Sequence, residues 1–126
     1  MLHEELTRKI IGCSMEVHKR LGNGFQEVIY QRALAIEMKM AGLEFAREMD
    51  MHIFYREIDI GARRVDFFVD GKIMVELKAL LKTDGSNLSQ ALNYLEIYKV
   101  EIGLLINFGA KSLEFKRVHN NKLLKS

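Results

Sequence analysis

The stretch that decides the fold is Arg64-Val65-Asp66-Phe67-Phe68-Val69-Asp70-Gly71-Lys72-Ile73-Met74-Val75-Glu76-Leu77-Lys78. Apolar and polar residues alternate on both sides of Asp70-Gly71, which predicts two antiparallel strands joined by a tight turn. The first strand carries Asp66, and the second carries Glu76 and Lys78 two residues apart. Charged side chains are costly to bury in strands otherwise rich in Val, Ile, Leu and Phe, unless they have partners. The hairpin is therefore the first indication of a functional site.

The register of this hairpin decides which side chains face the same way. A strict two-residue loop would place Asp66 opposite Val75, and a one-residue slip moves every side chain to the other face. We therefore expect an odd loop or a bulge, which brings Asp66 and Glu76 onto one face. Alternation also predicts that three residues of the first strand share an apolar face: Val65, Phe67 and Val69.

Length and composition indicate one ordinary globular domain over residues 1–126. The chain is 48% hydrophobic and 29% charged, and its net charge of +2 shows no general basic bias toward nucleic acid. The single cysteine, Cys13, excludes an internal disulfide and is typical of a reducing compartment. No run approaches the roughly 18 apolar residues that span a bilayer, and the charged N-terminus lacks a signal-peptide core. We expect a cytoplasmic protein with no membrane partner.

The other elements follow from periodicity and from the glycines. Helical spacing predicts helices over residues 3–21 and 26–41, and alternation predicts a strand over 49–60, after which Gly61 marks a turn or a bulge. After the hairpin we expect a loop (80–86), a helix (86–99), a strand buried on both faces (102–108) and a last strand (112–118). The resulting order, ααβββαββ, is typical of an α/β (α+β) fold.

Asp66, Glu76 and Lys78 form the pattern D-x9-E-x-K. Two carboxylates on adjacent strands suit Mg²⁺, which prefers oxygen ligands and keeps several waters. Such an ion lowers the pKa of bound water and polarises a phosphoryl oxygen, while Lys78 can neutralise charge developing in the transition state. The pattern thus suits phosphodiester hydrolysis. The alternative is that Glu76 and Lys78 are ordinary exposed strand residues that form a surface ion pair.

Two further features lie on the predicted helices, and each also has a structural interpretation. Glu27 and Tyr30 are three residues apart at the start of the second helix, where Glu27 alternatively forms half of a capping box with Gly24. Gln90 and Tyr94 are one turn apart on the third helix, where they alternatively belong to a solvated flank.

Taken together, these blocks resemble the GxxExxY protein family, which is grouped with the PD-(D/E)xK nuclease superfamily. The Gln-x-x-x-Tyr block resembles the one in RecB-like nucleases. The resemblance implies a restriction-endonuclease-like core, in which a central mixed β-sheet is flanked by helices. It extends over about residues 6–118 in five ordered blocks: Val17-His18-x-x-Leu21-Gly22-x-Gly24-x-x-Glu27-x-x-Tyr30, Arg64-x-Asp66, Val75-Glu76-Leu77-Lys78-Ala79, Gln90-Ala91-Leu92-Asn93-Tyr94-Leu95 and Gly103-Leu104-Leu105-Ile106-Asn107-Phe108-Gly109.

The resemblance also implies residue roles. Asp66, Glu76 and Lys78 become the catalytic site, with Mg²⁺ (or Mn²⁺) as the ion, and Glu27 takes the place of the helical acid that completes the metal site. RecB-like members use a helical histidine as an extra ligand instead, and His18 is the candidate for that position. We favour Glu27 and keep His18 as the alternative.

The implied substrate-binding residues are Gln90, Tyr94, Tyr30 and Asn87. Asn87 is also a departure from the family pattern, in which a histidine commonly stands three residues before the helix glutamine. Asparagine forms hydrogen bonds but cannot relay a proton near neutral pH. This departure leaves open a protein that binds without turning over its substrate.

Three functional classes follow. The leading hypothesis is a Mg²⁺-dependent nuclease acting on DNA or RNA. The second is a catalytically weak or inactive nuclease-fold module that binds nucleic acid or a protein partner. In the third, Asp66, Glu76 and Lys78 form only a structural charge cluster. A homodimer or a larger protein partner is compatible with so short a chain.

Overall fold

The computed structural model describes residues 2–82 and 85–120, with the backbone alone for Tyr94 and Ile97. The predicted order ααβββαββ is confirmed. The elements are α1 (Glu4–Leu21), α2 (Glu27–Met40), β1 (Phe45–Tyr55), β2 (Ile58–Val69), β3 (Ile73–Lys78), α3 (Gly85–Tyr98), β4 (Ile102–Asn107) and β5 (Glu114–His119).

The five strands form one mixed sheet in the order β1-β2-β3-β4-β5. Strands β3 and β4 are parallel because α3 crosses between them, and the other neighbours are antiparallel. Helices α1 and α2 cover one face of the sheet, where Ile10 and Leu34 pack against β2, β3 and β4. Helix α3 covers the other face with Ala91 and Leu95. The expected mixed sheet flanked by helices is therefore confirmed.

The β2–β3 hairpin has the odd loop that the sequence predicted. Val69 pairs with Ile73, so three residues lie between the paired positions. Asp70 and Gly71 have φ values of 53° and 62°, and the Lys72 N–H donates to the Val69 carbonyl at 2.9 Å. These positive φ values match a primed hairpin turn, which glycine and aspartate tolerate well. The register brings Asp66 level with Glu76.

The predicted common face of Val65, Phe67 and Val69 is wrong for Val65. Phe67 and Val69 pack on the α1–α2 side, whereas Val65 packs on the α3 side with Met74. The change of face occurs at Asp66, just beyond the last β2–β3 pair, Phe67 with Val75. Strand β1 is irregular at the same level, because its pairs with β2 run from Arg47–Phe67 directly to Met49–Val65 and Glu48 has a φ of 51°.

The predicted single strand over 49–60 is wrong, because the chain turns within it, whereas Gly61, predicted to mark a turn or a bulge, lies at a bulge. The turn lies at Arg56–Glu57, whose φ values are 49° and 68°, and Gly61 lies inside β2 opposite Ile53. A register shift next to this pair, between Ile53 and Phe54, forms a bulge. Gly61 has a φ of 154°, so this glycine is used for an irregularity within the strand.

Strand β4 is buried along its whole length, as predicted. Residues at its C-terminal end form hydrogen bonds with the segment that follows β3. The Asn107 side chain accepts a hydrogen bond from the Leu80 N–H and donates one to the Leu80 carbonyl, both at 2.8 Å. The Phe108 N–H donates to the Lys78 carbonyl at 2.9 Å. A Cβ on Gly109 would lie 2.3 Å from the Leu80 nitrogen, so only glycine fits here.

Among the described residues, no helix combines the length and the apolar character needed to cross a membrane.

Candidate active site

Asp66 is held at the point where β2 and β3 separate. Its Oδ2 accepts a hydrogen bond from the Leu77 N–H at 2.8 Å, and its Oδ1 accepts one from Gln31 Nε2 at 2.9 Å. The β2–β3 pairing ends at Phe67 and Val75, one residue before Asp66. The Asp66 carboxylate therefore accepts the hydrogen bond of a β3 N–H that would otherwise pair with a carbonyl of β2. Asp66 is thereby oriented by backbone and helix together.

Glu76 is a buried acid next to Asp66, with a relative exposure of 5%. Its Oε2 lies 3.6 Å from an Arg63 guanidinium nitrogen, and its Oε1 has no hydrogen-bond partner among the described residues. Burial raises the pKa of Glu76 to about 8, and the Asp66 charge contributes to this rise. The charges of Arg63 and Lys78 act in the opposite direction on this pKa. Glu76 therefore lies beside a second carboxyl group in a site that water reaches poorly, and both conditions disfavour its ionised form.

Glu27 comes from the start of α2 and faces the same charges. It is the first residue of the helix after Gln26, and it forms no hydrogen bond or ion pair among the described residues. The capping-box alternative with Gly24 is therefore not what the structure shows. Partial burial raises the pKa of Glu27, although the residue as a whole is exposed. The Lys78 charge lowers this pKa and the Asp66 charge raises it, so Glu27 lies within electrostatic range of both charges.

Tyr30 lies in the core, which corrects its predicted place in a substrate cleft. It is completely buried, and its ring stacks on Phe108 at 4.7 Å between centroids. Its hydroxyl donates to the Gly22 carbonyl at 2.6 Å and accepts from the Phe25 N–H at 3.2 Å. The loop also needs Gly24, whose φ is 109°. Tyr30 therefore positions the loop that leads into Glu27.

His18 is held at the far end of β4. Its Nε2 lies 3.0 Å from the Ala110 carbonyl, and neighbouring Asn23 donates to the Gly109 carbonyl at 3.3 Å. Nothing in the described structure groups His18 with Asp66 and Glu76 as a set of ligands. The geometry thus gives His18 a role in joining α1 to the β4–β5 connection.

The predicted substrate-binding residues of α3 are not bonded to the acidic side chains in the described part of the chain. Gln90 is exposed and Asn87 is half-buried. In the described part of the chain, neither forms a hydrogen bond or ion pair with Glu27, Asp66 or Glu76. The side chain of Tyr94 lies outside the described residues.

Gln31 is the residue that the sequence reasoning missed. It is buried on α2, it donates to Asp66, and its Oε1 accepts from Arg47 at 3.3 Å. It stands four residues after Glu27, so one face of α2 presents both side chains to the hairpin. That spacing was the available signal.

The acidic side chains of the site offer oxygen ligands to a divalent cation. Within residues 2–82 and 85–120, no three His, Cys, Asp or Glu side chains are close enough to hold a metal ion. The Asp66–Glu76 pair nevertheless fits one, because Glu76 Oε1 is buried without a partner and the two carboxyl groups repel when ionised. A divalent ion would supply that missing partner and offset the repulsion.

Comparisons with known proteins agree with this architecture. The family model of the PD-(D/E)XK nuclease superfamily matches residues 4–118. The crystal structure of SSO0001 is similar in fold, with a TM-score of 0.54 at 14% identity over 98% of this chain. This chain spans 64% of that protein's length. The comparison with curated proteins gave no match. These findings confirm the expected restriction-endonuclease-like core, while the GxxExxY and Gln-x-x-x-Tyr assignments stay predictions.

Proposed function

Since this chain belongs to the PD-(D/E)XK nuclease superfamily, we propose that it is a divalent-metal-dependent nuclease that hydrolyses phosphodiester bonds of DNA or RNA. The observation that carries the proposal is the Asp66–Glu76 pair. A buried carboxyl group with an unpartnered oxygen beside a second carboxylate destabilises a metal-free protein. Strongly perturbed acids of this kind occur preferentially at functional sites.

In this proposal Asp66 and Glu76 hold Mg²⁺ or Mn²⁺, and Glu27 completes the acidic side of the site. When bound, such an ion polarises a phosphoryl oxygen and lowers the pKa of coordinated water. Gln31 and the Leu77 N–H keep the Asp66 carboxylate in one orientation. Second-shell hydrogen bonds of this type commonly fix metal-ligating carboxylates.

Lys78 supplies positive charge to the reaction. It is two residues from Glu76 on the same strand, so both side chains leave the same face of β3. Its ammonium group would neutralise negative charge that develops on the phosphoryl oxygens. Electrostatic stabilisation of this kind is a large part of catalysis in phosphoryl transfer. The Lys78 carbonyl is tied to the Phe108 N–H, so this end of β3 is fixed in place.

The test is a cleavage assay with labelled single- and double-stranded DNA and RNA, in Mg²⁺, in Mn²⁺ and in EDTA. We expect metal-dependent cleavage by the wild type and a loss of about 10²–10³-fold in Lys78→Ala. Lys72→Ala is the matched control, because Lys72 is an exposed lysine of the same hairpin that pairs with Asp70. Absence of cleavage by the wild type, or equal cleavage by Lys78→Ala, refutes the proposal.

A second candidate is a nuclease-fold module that binds nucleic acid or a protein without cleaving it. It is favoured by one observation, that the described residues bring together no set of three metal ligands. If the partner is nucleic acid, the logarithm of the binding constant should fall linearly with the logarithm of the salt concentration, since phosphate contacts release counterions. Salt-dependent binding without cleavage in any metal selects it over the nuclease.

A further inference from the structure

We propose that residues 50–64, here called the distal ribbon, form the surface through which two copies of this chain associate. The distal ribbon consists of the paired ends of β1 and β2 and the turn at Arg56–Glu57. Strand β3 pairs with β2 only between Phe67 and Val69. In the described structure, the two strands of the distal ribbon therefore pair only with each other. The proposal does not rest on the proposed metal site, although Arg63 of the distal ribbon lies 3.6 Å from Glu76.

Large apolar side chains of the distal ribbon face water. Tyr55 and Ile58 are cross-strand partners and so lie on one face, Phe54 points to the opposite face, and Ile60 lies at the register shift. Single exposed apolar residues are normal, but a contiguous group of them marks an interaction surface. The exposed fractions are 63% for Phe54, 63% for Tyr55, 67% for Ile58 and 63% for Ile60.

The charges of the distal ribbon balance one another, which argues against nucleic acid as the occupant. Residues 50–64 contain three arginines and three acidic residues. His52 lies 2.8 Å from Asp59, and Arg64 lies 3.4 Å from Asp50. A surface that binds phosphates needs a basic excess. The distal ribbon instead presents the apolar, charge-balanced surface that suits a protein.

A second copy is the occupant that the area favours. Aromatic side chains present about 150–250 Å² each and isoleucine somewhat less, so the four, about two-thirds exposed, offer roughly 450 Å² over the two faces of the distal ribbon. A two-fold contact that covers both faces uses this surface twice, and about 900 Å² in total approaches the lower limit of a specific interface. Strand β1 is also an edge of the sheet, so its outer backbone groups are open to a second copy.

The test is sedimentation velocity of the full chain over a range of concentrations. We expect the wild type to form a dimer, and the double variant Ile58→Ser/Ile60→Ser to dimerise at least about 100-fold more weakly. Ile36→Ser is the matched control, because Ile36 is 62% exposed on α2, outside the distal ribbon. Circular dichroism verifies that each variant keeps its fold, as expected for exposed positions.

Three outcomes overturn the proposal. The first is a wild type that sediments as a monomer at every concentration. The second is a double variant that dimerises like the wild type, and the third is loss of the dimer in Ile36→Ser. If the wild type is monomeric and the double variant loses affinity for labelled single-stranded DNA, nucleic acid is the occupant and the proposal is equally overturned.

Discussion

Replacing Glu76 with glutamine is expected to stabilise the metal-free protein at alkaline pH. The folded protein raises the pKa of Glu76 from its ordinary value of 4.5 to about 8, first by burial and then by the Asp66 charge. A raised carboxyl pKa favours folding when the group is protonated. This contribution is complete below pH 4.5 and is lost as the pH rises to about 8. The shift corresponds to at most about 5 kcal/mol of unfolding free energy.

Glu76→Gln removes the ionisation and keeps the shape of the side chain. Its unfolding free energy should therefore stay level across this pH window while that of the wild type falls, so that at pH 9 the variant is the more stable by several kcal/mol, within the limit of about 5 kcal/mol. Urea denaturation in EDTA between pH 4 and pH 9 measures this difference. Glu5→Gln, at an exposed position on α1, is the control and should change little.

Divalent metal should reverse the trend. With Mn²⁺ present, the wild type should gain stability as the pH rises, because metal binding requires the ionised carboxylate and releases its proton. Glu76→Gln should not respond to Mn²⁺. A wild type whose stability in EDTA is level between pH 5 and pH 9, or a variant no more stable than wild type at pH 9, would refute the reasoning.

Three other substitutions test the supports of the site. Gln31→Leu removes the donor to Asp66 and should weaken Mn²⁺ affinity about 10–100-fold, measured by calorimetry; unchanged affinity contradicts this role. Tyr30→Phe removes the hydroxyl that bonds Gly22 and should lower the unfolding free energy by about 1–2 kcal/mol in urea, whereas an unchanged value rejects the loop-positioning role. Gly109→Ala places a Cβ 2.3 Å from backbone and should destabilise by about 1–3 kcal/mol or more; a wild-type melting temperature counts against this packing.

The features best predicted from the sequence were the register of the β2–β3 hairpin and the burial of β4, because a single structural requirement determines each of them. The hairpin register was predictable because only an odd loop or a bulge lets Asp66 and Glu76 share a face, and the structure has a three-residue loop there. The burial of β4 on both faces was predictable from its uninterrupted apolar run, since α3 and the α1–α2 pair lie on opposite sides of the sheet.

The remaining features depend on tertiary structure that no local pattern encodes. The β1–β2 turn uses Arg56 and Glu57 at positive φ, although neither residue type favours that conformation, so local sequence did not predict the turn there and indicated only a turn or a bulge at Gly61. The four-residue spacing of Gln31 from Glu27 was visible in the sequence, but its hydrogen bond to Asp66 depends on where β2 leaves β3. The family resemblance implied that Tyr30 contacts substrate, and neither a motif nor its spacing from Glu27 distinguishes a residue of a cleft from a residue of the core.

The most direct test of the central claim is a crystal of the wild type soaked in Mn²⁺ above pH 8, measured for anomalous scattering. The account predicts a peak between the carboxylates of Asp66 and Glu76, and no such peak in Glu76→Gln. Wild-type crystals without anomalous density between these two residues, or with density only beside His18, would contradict it.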